Sequence, residues 1–288
     1  MKIEKSLSDN SIVAYLRDFD KLIQYLEAVG SSKGPKEIGL NDLQQMVRWI
    51  SEMGISPRSQ ARIISGLRNF FFFLILEDEI EVDPTELLEL PKIGKKLPEV
   101  LDKDEIDALI GAIDLSKNEG HRNRAIIETL YSCGLRVSEL IGLKTTNLYF
   151  EEGFIRVIGK GNKERLVPVN PSVEKEVNLY RNHVRVHQDI APGHEDILFL
   201  NRRGKQLTRV MIFTIVKQLA EAIQLQKNIS PHTFRHSFAT HMVENGANLR
   251  AIQEMLGHES ISTTEIYTHL SDDLLKEAIT SYHPRNQG

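Results

Sequence analysis

Cysteine is nearly missing from this chain of 288 residues. The one present, Cys133, excludes an internal disulfide, and its apolar neighbours read as core rather than as the setting of a nucleophile. Long apolar runs are missing as well. The longest covers residues 70–76, far short of the roughly 18 residues that a membrane-spanning helix needs. The opening Met1-Lys2-Ile3-Glu4-Lys5 does not read as a secretory signal, so a cytoplasmic protein is expected. No internal repeat and no low-complexity tract occurs, which sets aside fibrous and disordered architectures. Nor is positive charge in excess: the net charge is −4, which taken globally argues against a polyanionic partner.

What is present is a globular composition, 41% hydrophobic and 26% charged, on a chain long enough for two ordinary domains. The charge is unevenly spread. Residues 154–209 hold eleven Lys and Arg against six Asp and Glu, so a basic surface can sit inside an acidic total.

Residues 1–90 read as short amphipathic helices separated by breakers. In the first, Ile12, Tyr15, Leu16, Phe19, Leu22 and Ile23 follow a 3.6-residue period and Ser8 is the expected cap. A second helix covers 41–50. Gly54-Ile55-Ser56-Pro57 ends it and opens a third, with Ser56 as cap and Pro57 in the first turn. Along this third helix Arg58, Ser59, Arg62, Ser65 and Arg68 line one side, while Ile63, Ile64, Leu67, Phe70 and Phe71 line the other. The polar side suits phosphate binding, and equally a solvated face. Residues 91–98, rich in Pro, Gly and Lys, read as a linker. Beyond it, Asp102 and Glu105 have the spacing of a capping box, a helix is expected over 122–132, and Gly134 stops it. Residues 153–158 and 165–169 read as two strands of a hairpin with Lys160 and Lys163 in the turn. The expected fold is mainly α with a small antiparallel β-sheet, in two domains.

Several segments carry residues with chemical use. Ser230 and Pro231 open a helix on which His232 and Arg235, three apart, share a face beside the positive helix end, an arrangement that suits an oxyanion. A structural His near a helix start fits the same residues. Gly257 ends a further helix and exposes His258. Nine residues on stands Tyr267, which by itself reads as a packing tyrosine. Arg136 and Glu139 share a helical face and fit a plain salt bridge. His232 and His236, four apart, suggest a metal-dependent hydrolase, but Arg235 lies between them and the carboxylate of a His-Glu-x-x-His motif is lacking. Gly159-Lys160-Gly161 lacks the spacing of a Walker A loop, so ATP use is unsupported.

The order of these elements is more specific than any one of them. Gly-Leu-Arg-Val-Ser-Glu-Leu at 134–140, Gly-Lys-Gly-Asn-Lys-Glu-Arg at 159–165, His-Thr-Phe-Arg-His at 232–236, Leu-Gly-His at 256–258 and Thr-His-Leu after Tyr267 closely resemble the tyrosine recombinase family, nearest to its Xer branch. The resemblance covers nearly the whole chain. It implies a helical core-binding domain over 1–90 that closes on DNA as a clamp with a mixed α/β catalytic domain over 99–288. It implies Tyr267 as the nucleophile that forms a 3′-phosphotyrosyl bond, with Arg136, Arg235 and His258 on the phosphate and His232 as a proton-transfer residue. Lys160 would protonate the leaving 5′-oxygen, with Lys163 as a rival, and Glu139 would support Arg136. Further DNA contacts are expected from Arg58, Ser59, Arg62, Arg68, Lys163, Arg165, Arg202, Arg203, Lys205 and Arg209. Neither metal nor ATP is implied.

The implied assembly is a tetramer on two double-stranded DNA sites, of this chain with itself or with a paralogue, linked by the helix at 271–282, which is expected on a neighbouring subunit. An accessory activator fits this scheme. Chromosome dimer resolution at cell division is the expected task. Integration of a mobile element uses the same chemistry, and a non-catalytic DNA-binding protein on the same scaffold would not need every catalytic position filled, as here. One departure is visible: family members usually have most of a helix before the point where Met1-Lys2-Ile3-Glu4-Lys5-Ser6 begins, so the first helix of the DNA-binding domain is expected to be short or absent, which puts DNA grip and contact between neighbours in doubt.

Overall fold

The structure, a computed structural model, describes residues 9–94, 99–257 and 272–286. Ser8, His258 and Tyr267 lie outside the described residues. The chain divides into two compact units, Met1–Lys96 and Leu97–Gly288.

The first unit is built from helices α1 (Asp9–Ala28), α2 (Leu40–Glu52) and α3 (Pro57–Leu76). The start of α3 follows from its sequence: Oγ of Ser56 accepts the N–H of Ser59 at 3.3 Å, and Pro57, which has no N–H to lose, takes the first helical position. Leu22, Tyr25, Leu43, Met46, Ile50, Ile63, Ile64, Leu67 and Phe71 form the core. The apolar stripe expected along α1 is only partly used. Leu16 and Ile23 are exposed, whereas Asp18 is buried. Asp18 faces α3 at Gly66, where a Cβ would meet the Asp18 Cβ at 3.1 Å, and it pairs with Arg62 at 2.5 Å. Burial raises the Asp18 carboxyl above its ordinary value, and the Arg62 charge and hydrogen bond oppose that rise without cancelling it.

The second unit holds helices α4 (Lys103–Gly111), α5 (Asn118–Ser132), α6 (Val137–Ile141), α7 (Pro171–His183), α8 (Arg209–Ala222), α9 (Pro231–Glu244), α10 (Leu249–Leu256) and α11 (Asp272–Tyr282), with strands β1 (Leu148–Tyr149), β2 (Phe154–Ile158) and β3 (Glu164–Pro168). Asp102 and Glu105 cap α4 reciprocally, each side chain accepting the other's backbone N–H at 2.8 and 2.9 Å. The sheet is antiparallel in the order β1-β2-β3, with Val157 opposite Arg165 and Ile155 opposite Val167. Strand β1, two residues long, is not foreshadowed by the alternation that marks the hairpin. Ile126, Tyr131, Leu135, Phe199, Phe234, Phe238 and Met255 are among the core residues. Cys133 is fully buried at the end of α5, and burial pushes its thiol well above the ordinary range.

Within this single chain the last helix packs on its own unit. Leu274, Leu275, Ala278 and Ile279 form an apolar stripe on α11, of which the last three are buried in the core of their own unit and Leu274 is exposed. The residues after α11 are tied down too. The Tyr282 carbonyl accepts from Asn245 at 2.7 Å, Nε of Arg285 donates to Glu128 at 3.0 Å, and Arg285 also pairs with Asp107. His283 is buried between the rings of Tyr131 and Phe238, and its Nδ1 accepts the Arg285 N–H at 3.2 Å.

Candidate active site

Helix α5 stops at Cys133 because Gly134 takes φ +57°; a Cβ there would also meet Cδ1 of Phe238 at 2.6 Å. The reversed chain places Arg136 at the N-cap of α6, where its N–H donates to Oε2 of Glu139 at 2.9 Å. Nη1 of Arg136 donates to Oε1 of the same carboxylate at 2.8 Å. Glu139 is therefore no surface partner: its side chain is 2% exposed.

Arg235 projects from the second turn of α9, whose start at Pro231 is capped by Ser230 and Thr233. Its two Nη atoms donate to backbone carbonyls, Gly134 at 2.7 Å and Leu256 at 2.6 Å. Nη2 of Arg136 donates to the next carbonyl, that of Gly257, at 3.0 Å. Gly257 closes α10 in the left-handed region, φ +63°. Two arginines from separate helix starts thus meet at the end of α10, on the two residues preceding His258. Each commits two of its guanidinium N–H groups to these tethers.

A third guanidinium completes the cluster. Nη1 and Nη2 of Arg165, on β3, donate to Oε1 and Oε2 of Glu139, both at 2.9 Å. Burial raises the Glu139 carboxyl, but the hydrogen bonds and charge of Arg165, with the Arg136 backbone and side chain, bring it below its ordinary value, so it is ionised. One carboxylate faces three guanidinium groups. The excess positive charge shows in Arg235, which burial and then the Arg136 charge bring down to about 10, with Glu139 opposing and Arg165 adding to the fall. A partly buried cluster with surplus positive charge is built to receive an anion.

The other sequence-predicted residues are placed as follows. His232 is exposed in the first turn of α9, three residues before Arg235. Lys160 lies in the turn Lys160–Asn162 between β2 and β3, where Gly161 and Asn162 take φ +70° and +60°. Lys163 follows it and is exposed. Arg58 is exposed at the start of α3, and Ser59 Oγ accepts from Ser56 Oγ at 3.0 Å. Arg62 is paired with Asp18, and Arg68 donates to the Leu88 carbonyl at 2.6 Å, so both have structural partners within their unit. Arg202, Arg203, Lys205 and Arg209 are exposed. The Asn201 side chain accepts the backbone N–H groups of Arg203 and Lys205, which folds the loop tightly and turns its cations outward; Arg202 pairs with Glu119. Arg165 differs from these. It points inward, and its reach to Glu139 was missed by reading it as part of a basic surface. The available signal was strand alternation, which puts Arg165 on the face of buried Val167. Among the described residues no group of three His, Cys, Asp or Glu stands close enough to hold a metal ion, His232 and His236 included.

Comparison with known proteins gives this site its class. Residues 99–273 match the phage integrase family, and residues 1–78 match the phage integrase N-terminal SAM-like domain. The chain is 45% identical over 285 residues to tyrosine recombinase XerD of Staphylococcus epidermidis, covering 99% of this chain and 96% of the relative. It is 41% identical over 283 residues to tyrosine recombinase XerD of Listeria innocua, covering 98% and 95%. Among solved structures it resembles XerA recombinase, at 32% identity and a TM-score of 0.52 over 98% of this chain and 94% of the other. The post-cleavage complex of XerH with a palindromic difH substrate shares the fold, at 24% identity and a TM-score of 0.72 over 94% and 79%. The chain belongs to the phage integrase family and is a tyrosine recombinase.

Proposed function

We propose that this protein is a site-specific recombinase of double-stranded DNA that cleaves one strand with Tyr267. The observation that carries the reading is the convergence of Arg136 and Arg235 on consecutive carbonyls, Gly257 and Leu256, at the entry to His258. A phosphodiester is an anion of the kind this surplus of two positive charges favours, and its pentacoordinate transition state gathers more negative charge still. The remaining N–H groups of the two arginines, with His258, would bind its non-bridging oxygens and stabilise the pentacoordinate transition state.

In the reaction the Tyr267 oxygen forms a bond to phosphorus as the bond to the 5′-oxygen breaks. The tyrosine proton leaves with the help of His232, and Lys160 supplies a proton to the departing 5′-oxygen. One phosphoester is exchanged for another, so bond energy is kept and neither ATP nor a metal ion is needed. Attack by the 5′-hydroxyl of a second strand reverses the step and joins the exchanged strands. Glu139 holds Arg136 at its post throughout. Arg58, Ser59 and the exposed loop at 202–209 would meet flanking phosphates. Lys163 and the partly engaged Arg62 and Arg68 would join them.

The XerD names of its relatives support chromosome dimer resolution in the cytoplasm over integration of a mobile element. Such a task needs a tetramer on two duplexes, of this chain with itself or with a paralogue. The test is a nicked recombination site that traps the cleaved strand. The wild-type protein should form a covalent protein–DNA adduct and Tyr267→Phe should form none; an adduct that persists in Tyr267→Phe would move the nucleophile elsewhere.

A further inference from the structure

Of the three arginines around Glu139, Arg165 commits the most donors to the protein, three guanidinium nitrogens against two each for Arg136 and Arg235. Its side chain is 13% exposed, against 34% for Arg136. Both Nη atoms bind Glu139 at 2.9 Å, and Nε donates to the Met255 carbonyl at 2.7 Å. A planar guanidinium with a carboxylate on one edge and a carbonyl at Nε has little left for a phosphate.

These contacts join three segments far apart in the sequence. Arg165 itself sits on β3, at the far side of the turn that carries Lys160. Glu139 caps the helix start that carries Arg136. Met255 lies three residues before His258. Two glycines that flank the candidate machinery lie against this strut, Gly159 against both Arg165 and Glu139 and Gly257 against Arg165 alone. A Cβ at Gly159 would meet Arg165 Nη1 and Glu139 Oε1 at 3.5 Å, and a Cβ at Gly257 would meet Arg165 Cδ and Nη1 at 3.2 Å. The Arg165 side chain therefore has side-chain-free backbone against it at two points.

We propose that Arg165 is a positioning residue for strand cleavage, holding the Lys160 turn, Arg136 and the chain entering His258 in one register. This rests on the reading of Lys160 as proton donor and Arg136 as phosphate ligand. Lysine at this position keeps the charge but offers a single point of donors, which cannot serve the two oxygens of Glu139 and the Met255 carbonyl together. Loss of register by about 1 Å costs on the order of 100-fold in rate with little effect on binding.

The experiment uses the full-length protein and a nicked DNA site with either oxygen or sulfur as the 5′-bridging atom at the scissile phosphate. A thiolate leaves without a proton, so the sulfur substrate bypasses Lys160. The variants are Arg165→Lys, Arg165→Met, Lys160→Ala and Arg136→Ala, with thermal melting to show that each is folded. Arg165→Lys should bind the site as wild type does, cleave the oxygen substrate about 100-fold more slowly, and recover part of that loss on sulfur. Lys160→Ala should recover nearly all of its loss and Arg136→Ala very little. The proposal is overturned if Arg165→Lys cleaves at the wild-type rate, or if its DNA affinity falls as far as its cleavage, the mark of a direct phosphate contact. If Lys160→Ala is not recovered by sulfur, the proton-donor assignment is at fault, and the split between binding and cleavage in Arg165→Lys still reads the positioning role. Should Arg165→Met fail to fold, the charge-keeping lysine variant carries the test.

Discussion

Nη2 of Arg136 donates to the carbonyl oxygen of Gly257 at 3.0 Å, across 121 residues of sequence. Arg235 makes the same kind of bond one residue earlier, to Leu256 at 2.6 Å. Removing either arginine would thus take away a proposed phosphate ligand and also free the backbone that leads to His258. Arg136→Ala should lower the rate of covalent adduct formation on nicked DNA by about 100- to 1000-fold. Arg136→Lys should recover only a small part, because a lysine cannot reach Glu139 and the Gly257 carbonyl at once. A lysine variant as fast as wild type would show that the fork geometry is irrelevant.

Glu139 is the only carboxylate against three guanidinium groups in this cluster, among the described residues. Its carboxyl lies below the ordinary value when folded. Its stabilising contribution is therefore fully present above the unfolded-state value and is lost as pH falls through the lower, folded one. Glu139→Gln should cost about 3–5 kcal/mol at neutral pH, the range for breaking a buried ion pair. Urea denaturation checks this, and the variant's stability should fall less steeply on acidification than the wild type's. A loss under about 1 kcal/mol would mean that the cluster relaxes without its anion.

Much of this architecture is legible in the chain. The start of α3, the β2–β3 hairpin, the start of α9 and the glycine stop of α10 each follow from local rules of capping and periodicity, and local rules are readable without a fold. What was not legible depended on partners distant in sequence. Asp18 sits on the inner side of α1 because Arg62 and the missing side chain of Gly66 make room for it. Arg165 belongs to a basic segment, and only the placement of Glu139 turns it inward. The stripe on α11 says that the helix must be covered but not by what, and the core of its own unit covers it.

His283 gives the C-terminal anchor a pH dependence. Burial, then the charges of Arg285 and His241, bring its imidazole down to about 3, with a backbone contact to Tyr131 opposing. Nδ1 accepts the Arg285 N–H, so the folded form is neutral. The unfolded chain takes up the proton near the ordinary value of about 6.5. Stability should therefore fall as pH drops from about 6.5 toward 3, where the folded form finally protonates. Glu128 and Asp107, which pair with Arg285, and Tyr131 face the same pocket and set the background. In His283→Gln the melting temperature should change less between pH 7 and pH 5 than in wild type. An equal change in the two would place the acid sensitivity elsewhere.

The loop at 201–205 should behave in the opposite way to the arginine cluster. Asn201 accepts the backbone N–H groups of Arg203 and Lys205 at 2.8 and 3.2 Å, so the loop keeps its shape when the outer side chains are cut back. Alanine at Arg202, Arg203 and Lys205 together should weaken DNA binding similarly for matched and unrelated sequences. It should also reduce the slope of log affinity against log salt by about 0.9 for each phosphate that is no longer neutralised. Arg202→Ala alone should do least, because Arg202 already has Glu119 as a partner. Cleavage of saturating nicked DNA should stay near the wild-type rate, since backbone contacts fix the protein on the duplex without touching the reacting phosphate. A slope that does not change in the triple variant would remove this loop from the DNA surface, and a reduced cleavage rate at saturation would give it a part in the chemistry.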